Sequence, residues 1–220
     1  MASALSLESI PLLASLDQEA RSLIASDMRE RSVPKGSFII YAEDPGPSLM
    51  FLVEGTAKIT LVSEDGKEII LAQMGPGDFF GEIALLAGGD RCANVVASTN
   101  CKLLVLPEEQ FHQQCSKNPD FTLALMRELA LRLRASSAKI GDLALLDVYR
   151  RVARTLATLA VSDSDSNDGT MRVEQRPTHQ ELASMVGTSR EMVTRALKGL
   201  EEDGHIEIEG KTILIHSLPD

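Results

Sequence analysis

The chain reads as an α+β protein in three parts: an N-terminal β jelly-roll barrel, a long helix, and a C-terminal winged helix-turn-helix. Three observations predict this. Short apolar and β-branched runs recur between turn signals from Pro34 to about Leu106. Apolar residues then repeat at alternating spacings of 3 and 4 between Met126 and Leu143. A glycine finally joins two capped amphipathic segments between Thr178 and Lys198. The expected boundaries are 1–118 for the barrel domain, 119–147 for the helix and 148–220 for the C-terminal domain.

Residues 6–31 predict a short helical preface. Strands are expected at Ser37–Tyr41, Met50–Val53, Ala57–Val62, Glu68–Gln73, Val95–Ser98 and Lys102–Leu106. Glycines at 36, 46, 55, 66, 75, 77, 81, 88 and 89 punctuate them, and Asp65-Gly66 is a hairpin signal. Strands at this spacing make a sandwich or jelly roll. Asn118-Pro119 then marks a boundary before a helix from about Asp120 to Leu146. Met126, Leu129, Leu133, Ser136, Ile140 and Leu143 form an a/d seam with one serine in it, which predicts a parallel dimer. A helix packed on its own barrel is the alternative. Tyr149–Val161 continues as another helix, and Ser162–Thr170 is an acidic loop exposed to solvent.

In the last part Thr178 and Glu181 form a capping box, and Leu182, Ala183 and Val186 line the buried side of a short helix. Gly187 supplies the turn, and Thr188 or Ser189 caps the next helix, whose Met192, Val193, Ala196 and Leu197 face inward. Arg190, Glu191, Thr194, Arg195 and Lys198 remain outside, and the opening residues of such a helix enter the major groove. Arginine grips guanine O6 and N7, and glutamate accepts from cytosine N4. This face implies DNA binding, with Thr178 and Ser189 counted at its edge. Gly204 ends the helical pattern. His205–Glu209 and Thr212–His216 then form a hairpin, the wing.

The formal net charge of −10 is awkward for DNA binding, and the segment from Asp147 to Asp220 is itself acidic, with nine Lys+Arg against thirteen Asp+Glu. Thr188–Lys198, by contrast, carries +2, so the positive charge is focused and specific base contacts must carry the binding. No apolar run reaches the ~18 residues of a membrane span. The first basic residue is Arg21, which leaves no charged leader region. Cys92, Cys101 and Cys115 form no CxxC pair, as expected in a reducing, cytoplasmic setting.

Phe80-Gly81-Glu82-Ile83 begins a short helix after a glycine, and Arg91-Cys92-Ala93 follows it. Free N–H groups at the helix start and an arginine on the far side suit an anion, and Glu82 suits a sugar hydroxyl. A salt bridge bracing a loop would look much the same.

Together these segments resemble the CRP/FNR superfamily of bacterial transcription regulators, in particular its branch of cyclic-AMP receptor proteins, over nearly the whole chain. The resemblance implies that the barrel binds a cyclic nucleotide, cyclic AMP first and cyclic GMP as the alternative, with no metal. Glu82 would hold the ribose 2′-hydroxyl and Arg91 the cyclic phosphate, helped by backbone N–H groups near Gly81 and Ile83, with Leu71 beside the ligand. Leu133–Val148 resembles the dimerisation helix, so Ser136 and Ser137 would contact the adenine amino group, one from each subunit. Ser189–Arg195 matches the recognition helix and implies a palindromic operator with 5′-TGTGA half-sites. RNA polymerase is the implied further partner. Cys92 departs from the usual Ser or Thr, and a thiol is a weaker donor. The loss is roughly 1 kcal/mol, or several-fold in affinity.

Other readings fare worse. Iron–sulfur sensing needs four clustered thiolates, yet the first cysteine is Cys92. His112 and Cys115 sit near a helix start with no haem motif around them. A redox role for Cys92, beside Arg91, would add to nucleotide sensing. A ligand-independent regulator keeps the same reader, whereas a nucleotide-binding subunit without DNA binding has no need of Arg190 and Arg195. No HExxH or P-loop suggests an enzyme. His179 and His205 are expected in phosphate contact or wing packing.

Overall fold

The computed structural model describes residues 7, 10–14, 16–42, 44, 46–162 and 170–219. Two compact units, Met1–Leu133 and Arg134–Asp220, divide the chain within its long helix.

The first unit opens with helices α1 (Pro11–Ala14) and α2 (Gln18–Asp27), the latter capped by Asp17, which accepts from the Ala20 amide at 2.8 Å. Eight strands follow: β1 (Arg29–Val33), β2 (Phe38–Ile40), β3 (Ser48–Glu54), β4 (Ala57–Val62), β5 (Glu68–Met74), β6 (Phe79–Phe80), β7 (Asn94–Ala97) and β8 (Cys101–Pro107). They form two four-stranded antiparallel sheets, β1-β8-β3-β6 and β2-β7-β4-β5. Period-2 alternation splits β3 and β8 between two cores. Met50, Leu52, Cys101 and Leu103 join Ile40, Ala57, Met74, Phe80 and Val95 in one cluster. Leu49, Phe51, Leu104 and Leu106 join α2 and later helices in the other. The expected turn at Asp65-Gly66 closes β4 on β5, with Gly66 at φ 78°.

Two strands depart from expectation. The helical preface stops at Asp27, and Arg29–Arg31 already belong to β1. This strand pairs with β8 alone, and its only buried side chain is Val33, so it carries no apolar alternation to read. Phe79–Phe80 forms a two-residue strand opposite Met50 and Phe51, too short for any periodicity.

After α3 (Glu82–Ala87) and α4 (Glu108–Lys117) comes the long helix α5 (Pro119–Leu145). Phe121 and Leu125 are buried in the helix-covered core, and Leu129 packs against it. Leu129 thus belongs to its own barrel rather than to a free seam. Met126, Leu133, Ile140 and Leu143 remain 54, 69, 67 and 48% exposed, an apolar row along the helix.

In the second unit α6 (Val148–Leu159) is capped by Asp147. Arg154 pairs with Asp142, and Arg151 donates to the Leu146 carbonyl at 3.0 Å, so the preceding turn is tied to α6. Strands β9 (Val161–Ser162), β10 (Met171–Val173), β11 (Ile206–Glu209) and β12 (Thr212–Ile215) form a sheet in the order β11-β12-β10-β9. Residues 163–169 of the expected acidic loop lie outside the described residues. Helices α7 (His179–Val186) and α8 (Arg190–Glu202) make the helix-turn-helix, and β11–β12 is the wing.

Tyr149 anchors α6 to the end of α8. Its hydroxyl donates to Asp203 Oδ2 at 2.6 Å and its ring meets that of His205 edge-on. Gly199 makes room, since a Cβ there would lie 3.1 Å from the ring. His205 also bonds Ser217 Oγ at 2.8 Å, which is a wing-packing role. Desolvation first, then the Asp203 hydrogen bond and charge, push the Tyr149 phenol from 10.0 up to about 12. A raised pKa means the folded state favours the neutral phenol. The contribution is therefore whole below pH 10.0 and lost as pH rises through about 12. Spectrophotometric titration is expected to show a tyrosinate step near pH 12 that Tyr149→Phe removes.

Candidate functional site

The candidate ligand cassette is built around Gly81. It caps α3 in the left-handed region, at φ 91° and ψ 0°. A Cβ there would lie 2.4 Å from the Ser48 carbonyl oxygen and 2.6 Å from Arg91 Nη1, so the position admits glycine alone. Gly81→Ala is expected to cost the barrel about 1–3 kcal/mol and to weaken nucleotide binding roughly tenfold. Gly75→Ala, where a Cβ meets nothing within 4 Å, is the control in thermal melts and calorimetry.

Arg91 is 6% exposed. Its Nη1 donates to the carbonyls of Ser48 and Gly81 at 3.2 and 3.0 Å. Its Nη2 donates to the Gly46 carbonyl at 3.0 Å and to Ser48 Oγ at 3.1 Å. Among the described residues no carboxylate forms an ion pair with it. Desolvation lowers its pKa, partly countered by the charges of Cys92, Glu82 and Asp44. A buried guanidinium that is held by carbonyl dipoles and, among the described residues, forms no ion pair suits an anion.

Glu82 is 5% exposed, and its Oε1 lies 3.4 Å from Arg132 Nη1. Arg132 reaches it from α5, with its guanidinium 4.1 Å from the Phe79 ring centre and Nε 3.5 Å from Glu128 Oε1. The carboxylate is thereby oriented beside the anion receptor, as a sugar-hydroxyl acceptor requires. Glu82 and Arg91 do not brace each other directly. Gly81, Glu82 and Arg91 are thus gathered in one place, whereas the side chains of Leu71, Ile83 and Cys92 are exposed. Ser136 and Ser137 are exposed on α5, in the second unit.

Three contributors escaped the sequence reading. Gly46 and Ser48 act mainly through carbonyls, which carry no side-chain signal. Arg132 had one: it stands one helical turn before Ser136, on the same face of α5.

The second candidate site is the outer face of α8. The Thr178–Glu181 capping box forms, with Thr178 N donating to Glu181 Oε2 at 2.8 Å and Glu181 N to Thr178 Oγ1 at 3.2 Å. Gly187 takes φ 71° and ψ 51°, and Ser189 Oγ caps the Met192 amide at 3.3 Å. Val193, Ala196, Leu197 and Leu200 are buried. Met192, expected inside, is 39% exposed, because it lies on the rim of that stripe. Arg190, Glu191, Thr194, Arg195 and Lys198 are all exposed, and Lys198 pairs with Glu202 at 3.4 Å. The backbone amide of Glu191 itself, then the Ser189 hydroxyl, hold the Glu191 carboxyl below its usual range, with Arg190 and Arg195 assisting. It is therefore an ionised acceptor at neutral pH, flanked by two guanidinium donors.

The cyclic nucleotide-binding domain family matches residues 30–118, and the Crp-like helix-turn-helix domain family matches residues 150–220. The chain is 37% identical over 210 residues to the cAMP-activated global transcriptional regulator Vfr of Pseudomonas aeruginosa, covering 93% of this chain and 95% of that one. It is also 37% identical over 185 residues to the cAMP-activated global transcriptional regulator CRP of Salmonella typhimurium, covering 83% and 87%. Among solved structures, the c-di-GMP responsive global regulator CLP of Xanthomonas campestris superposes with a TM-score of 0.77 at 28% identity, covering 91% of this chain and all of that one. Among the described residues no helix is long and apolar enough to cross a membrane.

Proposed function

The chain belongs to the CRP/FNR family of cyclic-nucleotide-binding transcription regulators, and from that premise we propose that it is a cyclic-AMP-responsive dimer that reads a palindromic operator with 5′-TGTGA half-sites. The observation that supports the ligand is Arg91, buried and, among the described residues, in no ion pair. Arg91 binds the cyclic phosphate, Glu82 takes the ribose 2′-hydroxyl, and the amides near Gly81 and Ile83 complete the cradle. Leu71 and Cys92 border the ligand, with Cys92 replacing a stronger hydroxyl donor. Ser136 and Ser137 reach the adenine amino group, one from each subunit. Vfr and CRP, each cAMP-activated by name, support cyclic AMP over cyclic GMP.

The exposed apolar residues of α5 support dimerisation, since Leu133, Ile140 and Leu143 would be buried against the same helix of a second copy. Two copies of α8 then address two half-sites in successive major grooves. Arg190, Glu191 and Arg195 read bases, Lys198 adds charge, and Thr178 and Ser189 hold the ends of their helices at the backbone. Nucleotide binding favours the DNA-competent pairing of subunits through its differential affinity, for which a coupling of ~1–3 kcal/mol is typical. The protein acts in the cytoplasm and engages RNA polymerase. Its working divisions are residues 1–118, 119–147 and 148–220.

The test is fluorescence anisotropy on a TGTGA…TCACA duplex, titrated at fixed salt with and without cyclic AMP, then with cyclic GMP. Tight binding only with cyclic AMP is expected. Equal binding in every arm would remove the nucleotide from the account and leave a constitutive or Cys92-dependent regulator.

A further inference from the structure

The guanidinium of Arg91 is already heavily engaged within the barrel. Nη1 donates to the Ser48 and Gly81 carbonyls, and Nη2 donates to the Gly46 carbonyl and to Ser48 Oγ at 3.1 Å. Each of these nitrogens has two hydrogens, so every Nη hydrogen has a partner. Among the described residues only Nε–H is left without an acceptor. An anion is held most firmly by an arginine through two parallel N–H bonds. On the side-on edge of the guanidinium these are Nε–H and Nη2–H. A partner of Nη2 must therefore yield or share its hydrogen when an anion arrives.

The two partners of Nη2 differ in what they can do next. The Gly46 carbonyl can only accept, so it repels an anion brought beside it. Ser48 Oγ accepts from Arg91, but a hydroxyl also has a proton of its own, and among the described residues that proton has no acceptor. Of the four acceptors around Arg91 it is the only one able to become a donor. Rotation about the Cβ–Oγ bond turns this hydroxyl from the guanidinium toward an oxygen bound there. Ser48 is half-buried at the start of β3, so its side chain is open to a ligand. Position 92 supplies only a thiol, a weak donor, which leaves the anion short of a hydroxyl on that side.

We propose that Ser48 is a further ligand-contacting residue, whose hydroxyl donates to an exocyclic oxygen of the phosphate that Arg91 receives. This rests on the reading of Arg91 as the cyclic-phosphate site, although Ser48 lies on β3, outside the segment from Phe80 to Ala93.

The experiment is calorimetric titration of the full-length protein with cyclic AMP and with each of its two exocyclic phosphorothioate diastereomers, since sulfur is a weak acceptor. Ser48→Ala is expected to weaken cyclic AMP binding about tenfold, the loss of one hydrogen bond to a charged group. The same factor is expected with one diastereomer. With the other the loss is small, because sulfur already stands where the hydroxyl would donate. Ser48→Thr restores the wild-type pattern, and Ser48→Cys, a weak donor of similar size, repeats the alanine result should the melting curve show that alanine unsettles the barrel. The inference is overturned if neither the alanine nor the cysteine variant loses affinity. Equal losses with all three ligands overturn it too, because Ser48 would then act only by propping Arg91. Wild-type protein that binds neither cyclic AMP nor cyclic GMP sinks the nucleotide reading itself, and the inference with it.

Discussion

Arg91→Leu abolishes the response of operator binding to cyclic nucleotide and lowers nucleotide affinity by on the order of a hundredfold or more. Removing one partner of a buried, hydrogen-bonded charge pair costs roughly 2–5 kcal/mol, about thirtyfold to several thousandfold in affinity. Leucine fills much of the space but strands the carbonyls of Gly46, Ser48 and Gly81 that the guanidinium now satisfies. The barrel therefore loses stability too, and a melting curve must accompany the calorimetric titration with cyclic AMP. The dimer is retained in sedimentation, because the apolar row of α5 is untouched. Arg91→Lys keeps the charge without the planar fork and is expected to fall between wild type and leucine. A leucine variant that still answered to nucleotide would show that the anion receptor is elsewhere.

Glu191→Ala is expected to relax base preference at one position per half-site, by ~1–3 kcal/mol each. Across a palindrome that is ~2–6 kcal/mol, roughly thirtyfold to more than ten-thousandfold in discrimination, at some cost in affinity. Glu191 is ionised and sits on the first turn of α8, beside Arg190. On the proposed reading its partner in DNA is a base amino group and not a phosphate, so the dependence on salt is expected to keep its slope. Competition binding with all four bases at each half-site position, repeated at several salt concentrations, checks both statements. A changed slope with unchanged preference would assign Glu191 to the electrostatics of approach, not to reading.

How far the sequence could be read depended on how local each signal was. The helix-turn-helix was legible almost atom by atom, because capping boxes, a left-handed glycine and an apolar stripe are determined within a few residues. The barrel strands with one buried face or a continuous apolar run were legible to within one or two residues. β1 was not, because a polar edge strand with one buried residue acquires its identity from β8, which lies about seventy residues away in the chain. The same holds in the cassette. Glu82 and Arg91 announce themselves by residue type, but two of the three carbonyls that hold Arg91 come from β3 and its approach, brought in by the fold. In α5 the regular spacing treated six positions alike, whereas packing divides them, giving Leu129 to the barrel and leaving its neighbours exposed.

The alternation along β3 has a genetic consequence. Ser48, Met50 and Leu52 share the face turned to the arginine and the barrel interior, while Leu49 and Phe51 share the face under the helices. Consecutive codons of one short strand should therefore yield alternating allele classes. Mild substitutions at even positions would surface as defects in inducer sensitivity, and those at odd positions as temperature-sensitive alleles with normal inducer dependence. A saturation screen would see this strand as two interleaved loci, although in sequence it is one.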